Sequence, residues 1–417
     1  MVKTNFPKRF LWGAAIAAHQ VEGGQHNQWT VWELENAKGK AAQASYQYGD
    51  LENWSDIAEQ AEDPNNYVSG DAVDHYNRYE EDFDYLEKMN MNALRFSVEW
   101  SRLEPSEGAW NVEAVTHYKK YVAELRRREI EPVLTLFHYT LPVWFAQKGG
   151  FEKRANVQYF VRFAERIVSE LGRDVRLVLT MNEPEVYTIQ SYLRGEWPPN
   201  VTSKWKAWRV LNNLARAHRQ AAAKIRAINR RYRVSVAKDS VYFYAGDDAW
   251  LSIKSAHIMQ YVFDDYFLKK VAKHCDFLGV NYYLSERVYG YRRHNPNKYV
   301  NDMGWDMSPE NIQFALERLH EKYRLPILIT ENGLADDNDD YRQWWIAKTL
   351  AGMQLAMENG VILEGYLHWS LLDNFEWDKG FWPHFGLVAV DRASGKRTLR
   401  PSALWFGKVI KRLRGEA

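Results

Sequence analysis

The sequence predicts an α/β fold: a single (β/α)8 TIM barrel with its active site at the C-terminal ends of the strands. Three observations lead there. Eight apolar, β-rich segments alternate with helix-like stretches. No linker or low-complexity segment divides them, so residues 1–417 read as one domain. Many of the strands end on carboxylates, amides, imidazoles and aromatic rings rather than on turn formers. Length alone would suggest two or three domains, but a barrel with insertions reaches 417 residues. An open doubly wound sheet is disfavoured because its Gly-rich first turn is missing.

The strands are expected at 10–20, 93–100, 132–139, 176–183, 234–240, 277–283, 327–331 and 362–370. They are nearly continuous in apolar residues, as strands buried on both faces are. In the first helix, 74–89, Tyr76, Tyr79, Phe83 and Leu86 recur at spacings of three and four. Similar patterns predict helices at 112–128, 156–171, 205–228, 255–272, 309–323, 342–358 and 402–413. The longest insertion, about 33–70, is rich in Asn, Asp, Glu and Gly and is expected to be irregular. The first strand superficially imitates a secretory signal, because Lys8 and Arg9 precede an apolar run. That run is short, and the strand reading is stronger. The Asn-x-Ser/Thr triplets at Asn53 and Asn200 are then chance matches, and a cytoplasmic location is expected.

Composition narrows the function. Lys plus Arg (55) and Asp plus Glu (54) nearly cancel, so no nucleic-acid partner is expected, nor a general pull toward an anionic membrane. No stretch approaches the roughly 18 apolar residues that span a bilayer. Cys275 is alone, which rules out an intrachain disulfide, and it reads as a core thiol. The 18 Trp and 25 Tyr provide core, and also platforms on which sugar rings can stack.

The strand ends converge on one mouth. In chain order they carry His19, Gln20 and Glu22; Arg95, Glu99 and Trp100; His138; Asn182 and Glu183; Lys238 and Asp239; Asn281, Tyr282 and Tyr283; Glu331 and Asn332; His368 and Trp369. Glu183 and Glu331 stand out, each following an apolar strand, in "LTMNEP" and "LITENG". Strands 4 and 7 lie across the mouth from each other. Paired carboxylates among amides and aromatic rings suit glycoside hydrolysis. Metal chemistry is disfavoured by the lack of H-E-x-x-H and of ligand-spaced histidines, and no cofactor is expected. No G-x-S-x-G elbow supports a serine hydrolase. The segment "RASGKRT", 392–398, lacks a phosphate-loop frame and reads as a turn.

These motifs, with "FLWGAAIAAHQVEG", "HYTLPVWF", "GVNYY", "GYLHWSLLDNFEW" and "HFGLVAVD", closely resemble glycoside hydrolase family 1, the β-glucosidase family, nearly end to end. The "HYTLP" form is similar to archaeal-type members. The resemblance implies that Glu183 is the general acid/base and Glu331 the nucleophile of a retaining β-glycosidase. It implies that Gln20, His138, Asn182, Glu376 and Trp377 hold the glycone hydroxyls and that Trp369 is the platform under the ring. Phe385 would close the pocket near the primary hydroxyl, and Trp305 would face the aglycone. Arg95 and Tyr283 would neighbour the nucleophile, and Asn281 the acid/base.

Retaining enzymes place their carboxyls about 5–5.5 Å apart, and that spacing is expected here. The carboxylate Glu376 would repel a sugar phosphate, so unphosphorylated β-O-glycosides are the expected substrates. Glucose, galactose and fucose are not separated by the sequence, nor is hydrolysis from transglycosylation. The segments after strands 5 and 6 are short for the family, which suggests an open aglycone side. Tyr139, Thr140 and His384 depart from the residues usual at their positions. Family resemblance is compatible with a homo-oligomer.

Overall fold

In the computed structural model, which describes residues 6–295 and 299–415, eight parallel strands close into a barrel. The strands are β1 (Leu11–Ala15), β2 (Ala93–Ser97), β3 (Glu131–Thr135), β4 (Leu177–Asn182), β5 (Arg233–Asp239), β6 (Leu278–Asn281), β7 (Ile327–Asn332) and β8 (Leu363–Trp369). β1 closes the ring by pairing with β2 (Gly13↔Ala93) and with β8 (Gly13↔Leu367). The predicted segments ran a few residues past most of these ends, because the apolar character continues into the loops that wall the mouth.

Alternation along the strands sorts the side chains. Ala15, Ala93, Val133, Leu177, Leu179, Ala237, Leu328 and Leu367 form a small cluster inside the barrel. The opposite parity, including Leu94, Leu134, Val178, Val236, Val280 and Ile329, joins the larger layer under the helices. Those helices are α1 (His75–Lys88), α2 (Val112–Arg127), α3 (Val157–Leu171), α4 (Lys204–Ile228), α5 (Tyr266–Val271), α6 (Ile312–Tyr323), α7 (Arg342–Glu358) and α8 (Pro401–Leu413). α5 differs from the single helix expected at 255–272. The chain is already helical at Trp250–Gln260, passes through a π-helical turn at Tyr261–Asp265, and only then enters α5.

The insertion at about 33–70 is not irregular. It is mostly helical, with a helix at Gln28–Tyr48, a second at Trp54–Ala61 and a 3-10 turn at Pro64–Tyr67. Its polar composition is that of a solvated face. Trp29, Trp32, Ala37, Ala41, Ala44 and Tyr48 supply the buried face at helical spacing. Asn27 starts this helix with a capping box: its side chain accepts from Thr30 N at 3.0 Å, while Asn27 N donates to Thr30 Oγ1 at 3.0 Å. Two small elements lie outside the barrel. The strands Tyr242–Ala245, Ser285–Tyr289 and Arg292–Arg293 form a three-stranded sheet, and Val388–Asp391 pairs with Lys396–Leu399. The "RASGKRT" segment makes the turn of this second hairpin, with Gly395 at φ 68°.

Asn27 is fully buried, so Asn27→Ala is expected to lower the unfolding free energy by about 1–2 kcal/mol. A denaturant titration would show this as a lower midpoint with an unchanged slope.

Candidate active site

The side chains at the strand ends meet in one hydrogen-bonded network. At its centre lies Arg95 of β2, fully buried inside the barrel. Its guanidinium uses donors in three directions. Nε donates to Thr135 Oγ1 (3.0 Å), and Nη2 donates to Asn182 Oδ1 (2.7 Å). Nη1 donates to the Thr330 carbonyl (3.2 Å) and to Glu331 Oε1. Arg95 therefore ties β2 to β3, β4 and β7. Tyr283, just beyond β6, donates to the second oxygen of Glu331 at 2.7 Å. Both oxygens of Glu331 thus face donors that favour the ionised carboxylate.

Glu183 lies in different surroundings. It receives Asn281 Nδ2 at 2.7 Å on one oxygen and Tyr139 Oη on the other. Asn281 also donates to Asn182 Oδ1 (3.0 Å), and its own carbonyl accepts from Thr330 Oγ1 (2.6 Å). Among the described residues, no cation contacts Glu183. Burial pushes its pKa well up, and the negative charges of Asp239 and Glu331 push it further in the same direction. The two carboxyls are therefore set in different surroundings, one bonded to a guanidinium and a tyrosine hydroxyl and the other inclined to keep its proton.

Two register shifts aim these groups inward. On β4, three residue steps from Leu179 to Asn182 match two steps on β5, Ser235 to Ala237. On β7, two steps from Ile329 to Glu331 match one step on β6, Val280 to Asn281. In both strands an extra residue sits directly before the functional pair. Strict alternation from Leu179 and Leu328 would have turned Asn182 and Glu331 away from the mouth. Glu183 then adopts a left-handed backbone (φ 37°), with its N–H bonded to the Ala237 carbonyl at 2.8 Å. Gly333 follows the β7 pair and lets the chain pass close to β8. A Cβ at this position would come within 1.7 Å of the Trp369 carbonyl oxygen.

The predicted glycone side is also assembled. Gln20 Nε2 donates to Asn374 Oδ1 (2.9 Å), the Phe375 carbonyl (2.8 Å) and Glu376 Oε2 (3.2 Å). Its own oxygen has no partner among the described residues. Asn182 Nδ2 bonds His138 Nε2 at 3.0 Å. His138 lies against Trp369 (ring centroids 6.1 Å apart) and stacks on Trp377 (5.9 Å). Burial raises Glu376 to about 8. Trp305 packs against Tyr283 and Phe385, with centroids 6.0 and 6.3 Å away. Every predicted site residue therefore belongs to this mouth or its rim.

Sequence reasoning gave no role to two neighbours of Glu183. Tyr139 registered only as a departure from family usage, yet its hydroxyl bonds the carboxyl directly. Its left-handed backbone (φ 71°) is a feature no sequence pattern announces. Asp239 was recognised only as a strand end. It shares parity with the inward Ala237, whereas Lys238 points outward to Asp264 (3.2 Å) and Glu185 (3.6 Å). Burial and surrounding carboxylates raise Asp239 to about 7, and the Lys238 charge opposes this. Parity along β5 was the signal that could have found it.

Comparison with known proteins agrees with this geometry. The family model described as Glycosyl hydrolase family 1 matches residues 2–273 and 250–414. β-Glucosidase A of Thermotoga maritima is 29% identical over 97% of this chain and 98% of the relative. The solved β-glycosidase from Pyrococcus horikoshii superposes with a TM-score of 0.86 at 32% identity, covering 97% of this chain and 95% of the other. The Thermotoga maritima β-glucosidase in complex with glucoimidazole gives a TM-score of 0.85 at 27% identity, covering 98% and 99%.

Removing one negative charge beside Glu183 should release its proton more easily. In Asp239→Asn, carbon-detected NMR of labelled glutamate is expected to show Glu183 titrating at lower pH than in the unaltered protein. An unchanged or higher titration point would refute the charge coupling.

Proposed function

The chain belongs to glycosyl hydrolase family 1 and is a β-glycosidase; from that premise we propose how its residues divide the work. Glu331 attacks the anomeric carbon while Glu183 gives its proton to the departing glycosidic oxygen. The bond to the leaving group breaks and an ester to Glu331 forms. Esterification removes the negative charge of Glu331, so Glu183 ionises more readily. Glu183 then takes a proton from water, the water oxygen bonds the anomeric carbon, and the ester breaks with inversion. Two inversions give net retention. The observation that carries this reading is the asymmetry of the two carboxyls. Glu331 is held between Arg95 and a tyrosine hydroxyl, whereas Glu183 is buried beside negative charge and has no cation in contact among the described residues.

The remaining residues receive roles on the same basis. Asn182 binds the hydroxyl next to the anomeric carbon, where its amide lies between Arg95 and Asn281. Gln20, His138, Glu376 and Trp377 hold the more distant hydroxyls above Trp369, and Phe385 closes that end. Trp305 borders the leaving group. The substrate class is unphosphorylated β-O-glycosides, glucosides first, with galactosides and fucosides as candidates. Support comes from Glu376: its carboxyl offers a phosphate dianion no positive charge, and the neighbouring Lys379 is already held by Asp378 at 2.9 Å. Water and an acceptor sugar compete for the same glycosyl ester, so transglycosylation belongs to the same proposal. A cytoplasmic setting is part of it too, in keeping with the single buried thiol of Cys275. Among the described residues, no helix is long and apolar enough to cross a membrane.

The direct test is hydrolysis of p-nitrophenyl β-glucoside and β-galactoside, with Glu331→Ala as the blank. Activity should vanish in the variant, and NMR should show the β-anomer released first. An α-anomer first would overturn the double displacement. Glu183→Gln cannot protonate the leaving group. It should lose about 10²–10⁴-fold on alkyl glucosides and far less in the first step with a dinitrophenyl leaving group. Equal losses on both substrates would reject the acid role.

A further inference from the structure

The helix Trp250–Gln260 and the turn after it are built inside out. The side chains they bury fully are small or polar, namely Ser252, Ala256, Gln260, Asp264 and Asp265. Hydrogen bonds fasten that face to the small sheet above the mouth. Gln260 accepts from Phe243 N (3.0 Å) and donates to the Val241 carbonyl (2.9 Å) and to Asp264 (2.7 Å). Ser252 Oγ accepts from Gly290 N at 2.7 Å. Met259 and Phe263 pack half-buried against the sheet, and the remaining large apolar residues face outward. Trp250 is 69% exposed, Val262 62% and Ile258 52%, with Leu251, Ile253 and Tyr261 also exposed. A surface helix normally shows the opposite pattern, and a contiguous apolar face of this kind marks a binding surface. The stacked pair Trp205 and Trp208 of α4, both exposed, lies nearby: Asn212 links the Trp208 carbonyl (2.7 Å) to Tyr266 Oη (3.2 Å).

The charges on this face share one sign. Between Ala249 and Phe263 the chain has Lys254 and His257 and no acidic residue. Lys254 Nζ sits 4.5 Å from the Trp250 ring, and Lys269 Nζ sits 4.7 Å from the Tyr261 ring. The acidic residues at its borders are Asp247 and Asp248, ahead of the helix, and Asp264 and Asp265, which are buried and paired with Lys238, Arg318 and Lys322. Aromatic and branched apolar side chains accompanied by Lys254 and Lys269 match the boundary layer of an anionic bilayer. There the rings enter the headgroup region and the ammonium groups meet lipid phosphates. A twofold dimer through the same face would bring the lysines of the two copies into one interface.

We propose that the face formed by Trp250, Leu251, Ile253, Ile258, Tyr261 and Val262 docks on the surface of an anionic lipid bilayer. The protein lies on the membrane and does not span it. The second strand of the small sheet under this helix begins at Ser285, two residues after Tyr283 of the site. Docking therefore holds the rim of the mouth at the lipid headgroups.

The test is co-sedimentation of the whole protein with vesicles of equal parts phosphatidylcholine and phosphatidylglycerol, against pure phosphatidylcholine. Preferential binding to the anionic vesicles, weakened by salt, is expected. Trp250→Ser combined with Val262→Ser should abolish it. Lys254→Glu combined with Lys269→Glu should weaken it by at least roughly 25-fold, about fivefold per lysine removed. Both double variants should hydrolyse a water-soluble aryl glucoside as the parent does, which reports an intact fold. No binding, or equal binding to both vesicle types, overturns the proposal. So does a dimer in sedimentation velocity that the serine variant dissociates, because the face would then belong to a second copy. None of these outcomes depends on the catalytic assignment.

Discussion

A cation buried inside the barrel is the constraint on which the rest of the site depends. Arg95 has no exposed surface, and its five N–H groups cannot accept, so every neighbour must offer an oxygen. β3 offers a hydroxyl, β4 an amide carbonyl and β7 a backbone carbonyl and a carboxylate. Desolvating an arginine costs several kcal/mol unless an anion and full hydrogen bonding offset it. The fold therefore requires Glu331 as the acidic partner of Arg95. The same contact fixes the orientation of Asn182, whose carbonyl is claimed by Arg95 and Asn281 and whose amino group must then point to His138.

From this centre the mouth becomes electrically graded. Beside Arg95 a carboxylate is stabilised, and one network step away Glu183 has only neutral donors and negative neighbours. The gradient needs no special residue types, because both groups are glutamates. It needs their displacement relative to one arginine, and the extra residues on β4 and β7 provide that. Extra residues just before Asn182 and Glu331 set these two strands apart, and a further shift lies between β7 and β8 at Ile327/Leu328.

Most of this was legible because barrel strands impose a periodicity and collect their ends at one place. Glu183, Glu331, Arg95, Asn182 and Asn281 could be placed at the mouth from strand ends alone. Residues on the long loops, such as Trp305, Glu376 and Phe385, could not, since loop length carries no direction, and only resemblance located them. The bulges were illegible because an extra residue in an apolar strand leaves the composition unchanged. The helix Gln28–Tyr48 was missed because its buried face is largely alanine and tryptophan scattered among polar residues. The start of the helix at Trp250 was missed for the reverse reason: its polar residues are the buried ones.

The direction of the Asn182 amide has a consequence for how substrate arrives. Because its amino group donates to Nε2, His138 must carry its proton on Nδ1, an atom with no partner among the described residues. Burial and the nearby Arg95 lower the pKa of that imidazole far below its usual range, so the ring stays neutral. Burial likewise favours the uncharged form of Glu376 near neutral pH, and Arg95 and Glu331 cancel each other. The cavity meets an incoming sugar with fixed dipoles rather than net charge. Selectivity for an uncharged sugar then resides in the directions of a few N–H and C=O groups.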